Sequence, residues 1–358
     1  MNIQTMRPKD LSRFDIDAWL EYSCKGTGFD SPFFHPGYVA AMAEFRPHVE
    51  VSVIRSHGAA VGFFASERYC QHAAQPLGVK LADFQGVVGP RGVEISFDEL
   101  LDGTNLSCFH YDHWLADQTE NESTMDVSAS PFMDLSDGYE EYLARRRAAG
   151  SSLLSQTLRK QRKLEREIGP LTFTWNDSDP AALQYLWKWK AIQREQSQTV
   201  NILEFDWVRK FLTSLCQARA DGLQGVVSTL RNGDRIIAVH LGMHTASALH
   251  YWFPAYDADF GRYSPGSILL LRLAERCAEL GISRIDLGKG EDRYKDSFAT
   301  GSISVATGTA DRYGMRSAVR SSFHRSKKWI KSSPLGSAAE IPKRVIRQWQ
   351  TQTAMKDK

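Results

Sequence analysis

The chain has 358 residues, of which 42% are hydrophobic and 24% charged, with a net charge of +2. This composition is typical of a globular protein with two or three domains, and no apolar run is long enough to span a bilayer. The five scattered cysteines argue against a disulfide framework and predict no metal site, and the start of the chain lacks a hydrophobic signal core, so we expect a cytoplasmic protein.

The first third of the chain mixes predicted helices with predicted strands. Residues 11–22 and 37–45 have helical patterns, and residues 49–54 and 60–65 are predicted to pair as a hairpin. The pattern of strand, polar turn and strand over residues 51–64 recurs over residues 227–240. This weak repeat predicts two halves built on the same plan.

A basic helix is predicted within residues 139–168. Three of its arginines, Arg159, Arg162 and Arg166, are spaced so that a helix places them on one face. This face is either simply solvated or a cationic stripe for a phosphorylated donor or an anionic acceptor, because the arginine fork matches phosphate geometry.

A helix over residues 183–196 carries Trp187 and Trp189 on different sides. We expect one tryptophan in the core and assign Trp187 to an acceptor-binding cleft, where an indole face can stack on a sugar or a cation. A helix over residues 205–220 follows, and Asn232-Gly233 is a strong hairpin signal between strands 226–230 and 235–243.

Residues 246–298 carry the pattern that points to chemistry. Strand 249–253 is followed by a helix starting at Ser264-Pro265-Gly266, and strand 284–287 ends at Gly288-Lys289-Gly290. Ser264 is predicted to cap the helix with its hydroxyl, and Pro265 suits the first helical position. Since Gly266 has no side chain, an anion can approach the free N–H groups of the first turn.

Two histidines are candidates for a general base, since imidazole titrates near neutral pH. If the chain turns near Thr245, His240 lies roughly opposite His250 on a shared face, and a slip of one residue separates them. Structural histidines are the alternative. Carboxylates for the same region come from Asp257, Asp286 and Glu291, with helix or loop capping as the alternative role of Asp286.

Three segments together resemble a known family: residues 250–257, 263–266 and 286–295. They are similar to the second half of the GNAT acyltransferase fold, and more closely to the cellulose-biosynthesis-type acetyltransferases, which are related to the Fem peptidyl transferases. The resemblance implies a mixed α/β fold of two tandem GNAT-like halves, each a mixed, mainly antiparallel sheet flanked by helices. The expected domains are residues 1–138, residues 139–311 and a basic C-terminal tail, 312–358.

The same resemblance implies roles for individual residues. We expect a donor that is acetyl-CoA or another acyl-CoA, bound by Trp252, Phe253, Ser264, Gly266, Ser267 and Arg162. The expected acceptor-binding residues are Trp187, Tyr251, Tyr256, Asp257, Glu291 and Tyr294. The expected catalytic residues are His240, His250, Asp286 and Lys295, with the lysine contacting donor phosphate or developing negative charge.

The predicted function is acyl transfer to an amine or hydroxyl of a small molecule or saccharide, in cellulose or exopolysaccharide biosynthesis. One alternative is a Fem-like transferase that uses aminoacyl-tRNA, although nucleic acid is not the expected partner. The other is a noncatalytic scaffold. The tail carries twelve Lys or Arg against Glu340 and Asp357. It is either solvated or contacts a polysaccharide synthase or an anionic membrane surface, which would place the protein at the inner membrane.

Overall fold

The structure is a computed structural model that describes residues 1–24, 26, 28–90, 94–119, 124–197, 199–217, 222–290, 293–312, 353 and 355. In this part of the chain the helices are α1 (Arg13–Tyr22), α2 (Pro36–Phe45), α3 (Phe97–Thr104), α4 (Tyr139–Ala148), α5 (Ser152–Ile168), α6 (Pro180–Ser197), α7 (Asp206–Gln217), α8 (Pro265–Glu279) and α9 (Arg293–Phe298). The strands are β1 (Asn2–Met6), β2 (Val49–Ser56), β3 (Ala59–Cys70), β4 (Ala73–Gln75), β5 (Cys108–Leu115), β6 (Thr124–Asp134), β7 (Leu171–Thr174), β8 (Gln224–Asn232), β9 (Arg235–His244), β10 (Ala248–Tyr256), β11 (Arg284–Asp286) and β12 (Gly301–Asp311).

The chain folds into two compact units, each assembled from separate segments. Unit 1 comprises residues 1–23, 39–128 and 304–358, and unit 2 comprises residues 24–38 and 129–303. Both units contain a mixed sheet flanked by helices, which confirms the predicted fold class. The predicted domain limits at residues 138 and 311 stay a prediction. The basic tail lies outside the described residues except for Arg312, Thr353 and Met355.

Unit 1 is built on the strand order β1-β2-β3-β4-β5-β12. The β4–β5 pair is parallel and the other pairs are antiparallel. Its core is strongly aromatic, because Phe64, Phe109 and Trp114 pack edge to face at centroid distances of 5.0–5.8 Å. Helix α3 starts with a capping box between Ser96 and Glu99, which satisfies its first N–H groups and fixes where it begins.

Unit 2 is built on the strand order β6-β11-β10-β9-β8-β7. Only the β10–β11 pair is parallel there. Helix α8 is apolar along most of its length, and the buried residues Leu270, Leu271 and Leu273 pack in one core with Leu249 of β10. The Asn232-Gly233 turn between β8 and β9 is confirmed, with Gly233 in the left-handed conformation at φ 56°.

The pairing of strand β10 with its neighbours β9 and β11 changes along its length. Its parallel ladder with β11 runs from Ala248–Arg284 to His250–Asp286, where β11 ends, although β10 continues to Tyr256. On the β9 side the register shifts between His250 and Phe253, which is the signature of a β-bulge. Beyond His250, β10 therefore continues without pairing to β11, and the Tyr251 hydroxyl of this segment reaches the first turn of α8.

The register of the β9–β10 ladder next to the turn overturns the predicted pairing of the two histidines. His250 pairs with Met243, and His240 pairs with Pro254. The ring of His240 stacks on Tyr251 at 4.5 Å, whereas the ring of His250 meets Phe33 edge to face at 4.8 Å. Because Tyr251 and His250 are consecutive strand residues, their side chains point to opposite faces. The two imidazoles thus do not share a face.

Candidate functional site

The N-terminus of α8 differs from the prediction in how it is capped. Ser264 lies in the left-handed region at φ 56°, and its side chain makes no capping hydrogen bond to the helix. Its hydroxyl instead accepts a hydrogen bond from the Lys160 ammonium of α5 at 2.8 Å. Pro265 occupies the first turn, as predicted. The helix start consequently carries a lysine charge in place of a serine cap.

In this first turn of α8, Gly266 is the residue whose N–H group is available to a ligand. The N–H groups of Ser267 and Ile268 both reach back to the Ser264 carbonyl, at 3.0 and 3.2 Å, and Pro265 has no N–H. A Cβ atom on Gly266 would lie 3.4 Å from the Tyr256 ring, so this residue sits against a half-exposed aromatic face. The Gly266 N–H, the helix dipole and Lys160 together form a local arrangement suited to an anion.

Two aromatic residues of β10 lie in the bulged segment. Trp252 is partly exposed and stacks on Phe253 at 5.0 Å, while Phe33 meets it edge to face at 5.3 Å. Phe253 is buried. The tyrosine of this segment, Tyr251, donates from its hydroxyl to the Gly266 carbonyl at 3.4 Å, which connects β10 to the first turn of α8.

Burial sets the protonation of the groups near the bulge. His240 is fully buried, and desolvation, with the neighbouring His250, lowers its pKa to about 3. Desolvation also raises the pKa of Tyr251 well above its ordinary value of 10.0. At neutral pH, His240 is therefore a neutral and weak base, and Tyr251 keeps its proton. His250 is buried as well.

Asp286 belongs to a buried ion-pair network. Arg284 donates from Nε to the Asp286 carboxylate at 2.8 Å and forms a second ion pair at 2.8 Å with Asp30. Asp30 in turn accepts a hydrogen bond from the Ser247 hydroxyl at 3.2 Å. The two carboxylates raise the pKa of Arg284 against the opposing effect of its burial. These contacts give Asp286 a structural role as an ion-pair partner, which differs from the predicted alternative of helix or loop capping.

Lys295 is only 7% exposed. Its ammonium donates to the carbonyl oxygens of Gly288 and Lys289 at 3.1 and 3.0 Å, so it holds the loop that follows β11. Tyr294 packs against the core of unit 2. The predicted acceptor-binding residue Glu291 lies outside the described residues, as does Asp292.

The basic residue of α5 that reaches α8 is Lys160, not the predicted Arg162. Arg162 is exposed and lies two residues, or about 200° around the helix, from Lys160. The sequence did hold a signal for this arrangement. Lys160 is spaced three and four residues from Thr157 and Leu164, both buried, and residues at these spacings share a helix face.

A surface cleft of about 580 Å³ lies beside the end of β10 in unit 2. It is lined by Tyr185, Lys188, Trp189, Asp234, Arg235, Ile236, Asp257 and Asp259. The predicted cleft residue Trp187 does not line it, and its ring faces the Arg209 guanidinium at 5.9 Å. Trp189, which is buried, lines the cleft in place of the predicted Trp187, which is partly exposed. Asp257 also lines the cleft and forms an ion pair of 2.7 Å with Arg235.

The described residues hold neither a cluster of metal ligands nor a membrane-spanning helix. No group of three or more His, Cys, Asp or Glu side chains among them is arranged to hold a metal ion. Within the same residues, no helix combines the length and the apolar character needed to cross a membrane.

Comparison with known proteins identifies the domain. Residues 151–296 match the family model of the acetyltransferase (GNAT) domain. No curated protein matches the chain at a significant level. This stretch contains α5, β10, α8 and β11, so the elements described above lie in the part of the chain that matches the GNAT domain.

Solved structures resemble 76–87% of the chain at 10–13% identity. A conserved protein of unknown function from Bacteroides thetaiotaomicron is 13% identical, with a TM-score of 0.53 over 85% of this chain and 100% of its own. FemX is 10% identical, with a TM-score of 0.48 over 76% of this chain and 90% of its own. A tandem GNAT protein from the clavulanic acid biosynthesis pathway is 10% identical, with a TM-score of 0.45 over 87% of this chain and 99% of its own.

Proposed function

We propose that unit 2 transfers an acyl group from acyl-CoA to an amine or hydroxyl acceptor. The observation that carries the proposal is the course of β10, which leaves β11 after His250, bulges, and leads to a helix start that combines Gly266 with Lys160. The separation opens a backbone edge, and the helix start offers an anion site beside it. Acyl transfer from a phosphorylated donor needs both features.

In this proposal each part of the donor has a place. The pyrophosphate of acyl-CoA binds at the first turn of α8, where the Gly266 N–H and the Lys160 ammonium face it. A backbone N–H of the bulged segment at Trp252 or Phe253 stabilises the oxyanion that forms on the acyl carbonyl. Tyr251 keeps its proton and lies next to Gly266, so its hydroxyl can hydrogen-bond to the leaving thiolate, which takes its proton from water as the acceptor releases its own.

The histidine environments bear on how the acceptor loses its proton. His240 has a pKa of about 3 and is buried against Tyr251, so we do not assign it as the general base. An acceptor amine that enters in its neutral form can attack without a protein base and release its proton to water afterwards.

We assign the acceptor to the cleft at the end of β10. Tyr185 and Trp189 pack together at 5.0 Å on one wall, and Arg235 with its two partners Asp257 and Asp259 forms the polar side. An aromatic wall beside polar groups suits a saccharide, whose ring has an apolar face and a polar rim. A saccharide acceptor is consistent with a role in cellulose or exopolysaccharide production.

The test is a thermal-unfolding panel with acetyl-CoA, longer acyl-CoAs and aminoacyl-tRNA, because a ligand that binds the native state raises the unfolding temperature. We expect stabilisation by acyl-CoA. A parallel measurement with 3′-dephospho-CoA shows whether the 3′-phosphate contributes to binding. Acceptors are then screened by mass change, with a Tyr185→Ala variant expected to raise KM for a saccharide. No stabilisation by any CoA ester would contradict the proposal.

The second candidate function is transfer from aminoacyl-tRNA as the donor, and one observation favours it. Arg159, Arg162 and Arg166 are exposed on one side of α5 and form no ion pair with any residue that the structure describes. Such a stripe can contact a phosphodiester backbone. Stabilisation by aminoacyl-tRNA but not by acyl-CoA, lost on replacing the three arginines with Gln, would establish this donor.

The predicted contact of the basic tail with an anionic membrane or a synthase remains a proposal, since residues 313–352 lie outside the described part. Co-sedimentation with anionic vesicles, with and without residues 313–358, tests the membrane contact. Equal partitioning of the two proteins would contradict it, whereas loss of binding on removal of the tail would support a location at the inner membrane.

A further inference from the structure

A cysteine and a histidine are neighbours on one face of β5 in unit 1. The Sγ atom of Cys108 lies 3.8 Å from the Nε2 atom of His110. Residues two apart on a strand point to the same side, which brings the thiol and the imidazole together. His110 is exposed and Cys108 partly exposed, so solutes can reach the pair.

The imidazole of His110 is held in place from two sides. Its Nδ1 atom lies 2.9 Å from the hydroxyl of Thr309, which is directly opposite it on β12. The Tyr69 ring stacks on it at 5.8 Å with an interplanar angle of 19°. When Nδ1–H donates to the Thr309 hydroxyl, Nε2 carries the lone pair and faces the thiol. Cys108, His110 and Thr309 thus have the arrangement of nucleophile, base and orienting group that activates a thiol.

The neighbours of Cys108 in the sheet include a carboxylate. Asp311 is paired with Cys108 across β12, and the next residue, Arg312, forms an ion pair with Asp102. His72, which precedes β4, lies close to Cys108, because its carbonyl accepts a hydrogen bond from the Cys108 N–H at 3.3 Å. The Asp311 carboxylate opposes a standing thiolate. Activation thus depends on proton transfer from Sγ to His110 as the thiol reacts.

We propose that Cys108 is a reactive thiol that forms mixed disulfides with low-molecular-weight disulfides. The Cys108 proton passes to Nε2 of His110, and the sulfur attacks one sulfur of the disulfide. A new S–S bond forms as the old one breaks, and the second sulfur leaves as a thiolate that takes the proton back from the imidazolium. The two-electron balance is kept without a further oxidant.

Other cysteines of the same protein serve as controls for Cys108. Cys70 is exposed on β3 and makes no hydrogen bond to an imidazole among the described residues, Cys277 is buried, and burial raises the pKa of Cys216 to about 12. We would add glutathione disulfide at pH 7 and follow each cysteine by peptide mass spectrometry. Mixed disulfide at Cys108 is expected to form about tenfold faster than at Cys70. Equal rates would overturn the proposal.

Substitutions at two positions separate activation of the thiol by His110 from its simple exposure to solvent. His110→Asn should slow Cys108 to the rate of Cys70, with the rate at Cys70 unchanged. Thr309→Val should slow Cys108 as well, while Thr309→Ser retains the rate because the hydroxyl remains. Protection of Cys277 reports that each variant is folded. An unchanged Cys108 rate in folded His110→Asn would overturn the role of the histidine and with it the proposal.

Discussion

The ammonium of Lys160 and the hydroxyl of Ser264 are joined by a hydrogen bond of 2.8 Å between α5 and the start of α8. The bond replaces the serine cap that the sequence predicts, and it places a positive charge at the positive end of the α8 dipole. Two like charges at one place are unfavourable without an anion between them. The arrangement is therefore what a site for a phosphorylated donor requires, and it is where the proposed function is most easily tested.

Removing the Lys160 charge should weaken donor binding. Lys160→Met keeps the length of the side chain and the packing of its stem. Loss of a hydrogen bond to a charged group corresponds to about 1.5 kcal/mol or more, so we expect acetyl-CoA to bind at least about tenfold more weakly by calorimetry. Arg162→Met on the other face of α5 is the control. Equal affinities for the two variants would contradict the site.

A methyl group at Gly266 should block the donor without damaging the fold. The new Cβ would be at an ordinary contact distance of 3.4 Å from the Tyr256 ring, and alanine favours a helix. We expect the free energy of unfolding to stay the same or to rise by up to about 1 kcal/mol, with acetyl-CoA binding at least about tenfold weaker. Gly261→Ala, where a Cβ meets nothing within 4 Å, is the matched control.

The role of Asp286 can be tested through its partner. Arg284→Met leaves the buried carboxylates of Asp30 and Asp286 without their cation, and we expect a loss of about 3–5 kcal/mol in the free energy of unfolding. Arg276→Met breaks an exposed pair with Glu279 and should cost less than about 1 kcal/mol. Chemical denaturation measures both. A loss at Arg284 no larger than at Arg276 would refute a structural network.

The buried His240 predicts sensitivity to acid. Its pKa is about 3 in the folded protein and 6.5 unfolded, so between these values the unfolded chain binds more protons. Stability consequently rises with pH across this window and falls on acidification from pH 6.5. Between pH 6.5 and pH 5, His240 alone should account for about 2 kcal/mol. His240→Phe, which can still stack on Tyr251, should reduce this slope in denaturation curves; an unchanged slope would contradict it.

Much of unit 2 was predictable from local patterns. The hairpin at Asn232-Gly233, the proline in the first turn of α8 and the apolar core face of that helix follow from residues that are neighbours in the sequence. Turn chemistry and helix periodicity act over a few residues, so they leave a direct trace in the amino-acid order. The resemblance of residues 250–295 to GNAT proteins agrees with the matched domain.

The sequence by itself determined the kinds of elements, their order and the class of domain. Only the tertiary structure decided which side chains meet: the β9–β10 register that separates His240 from His250, Lys160 rather than Arg162 at α8, and Trp189 rather than Trp187 in the cleft. Each of these depends on the register of a strand or the rotation of a helix against its neighbours. A shift of one or two residues turns a side chain to another face, and distant packing fixes that shift.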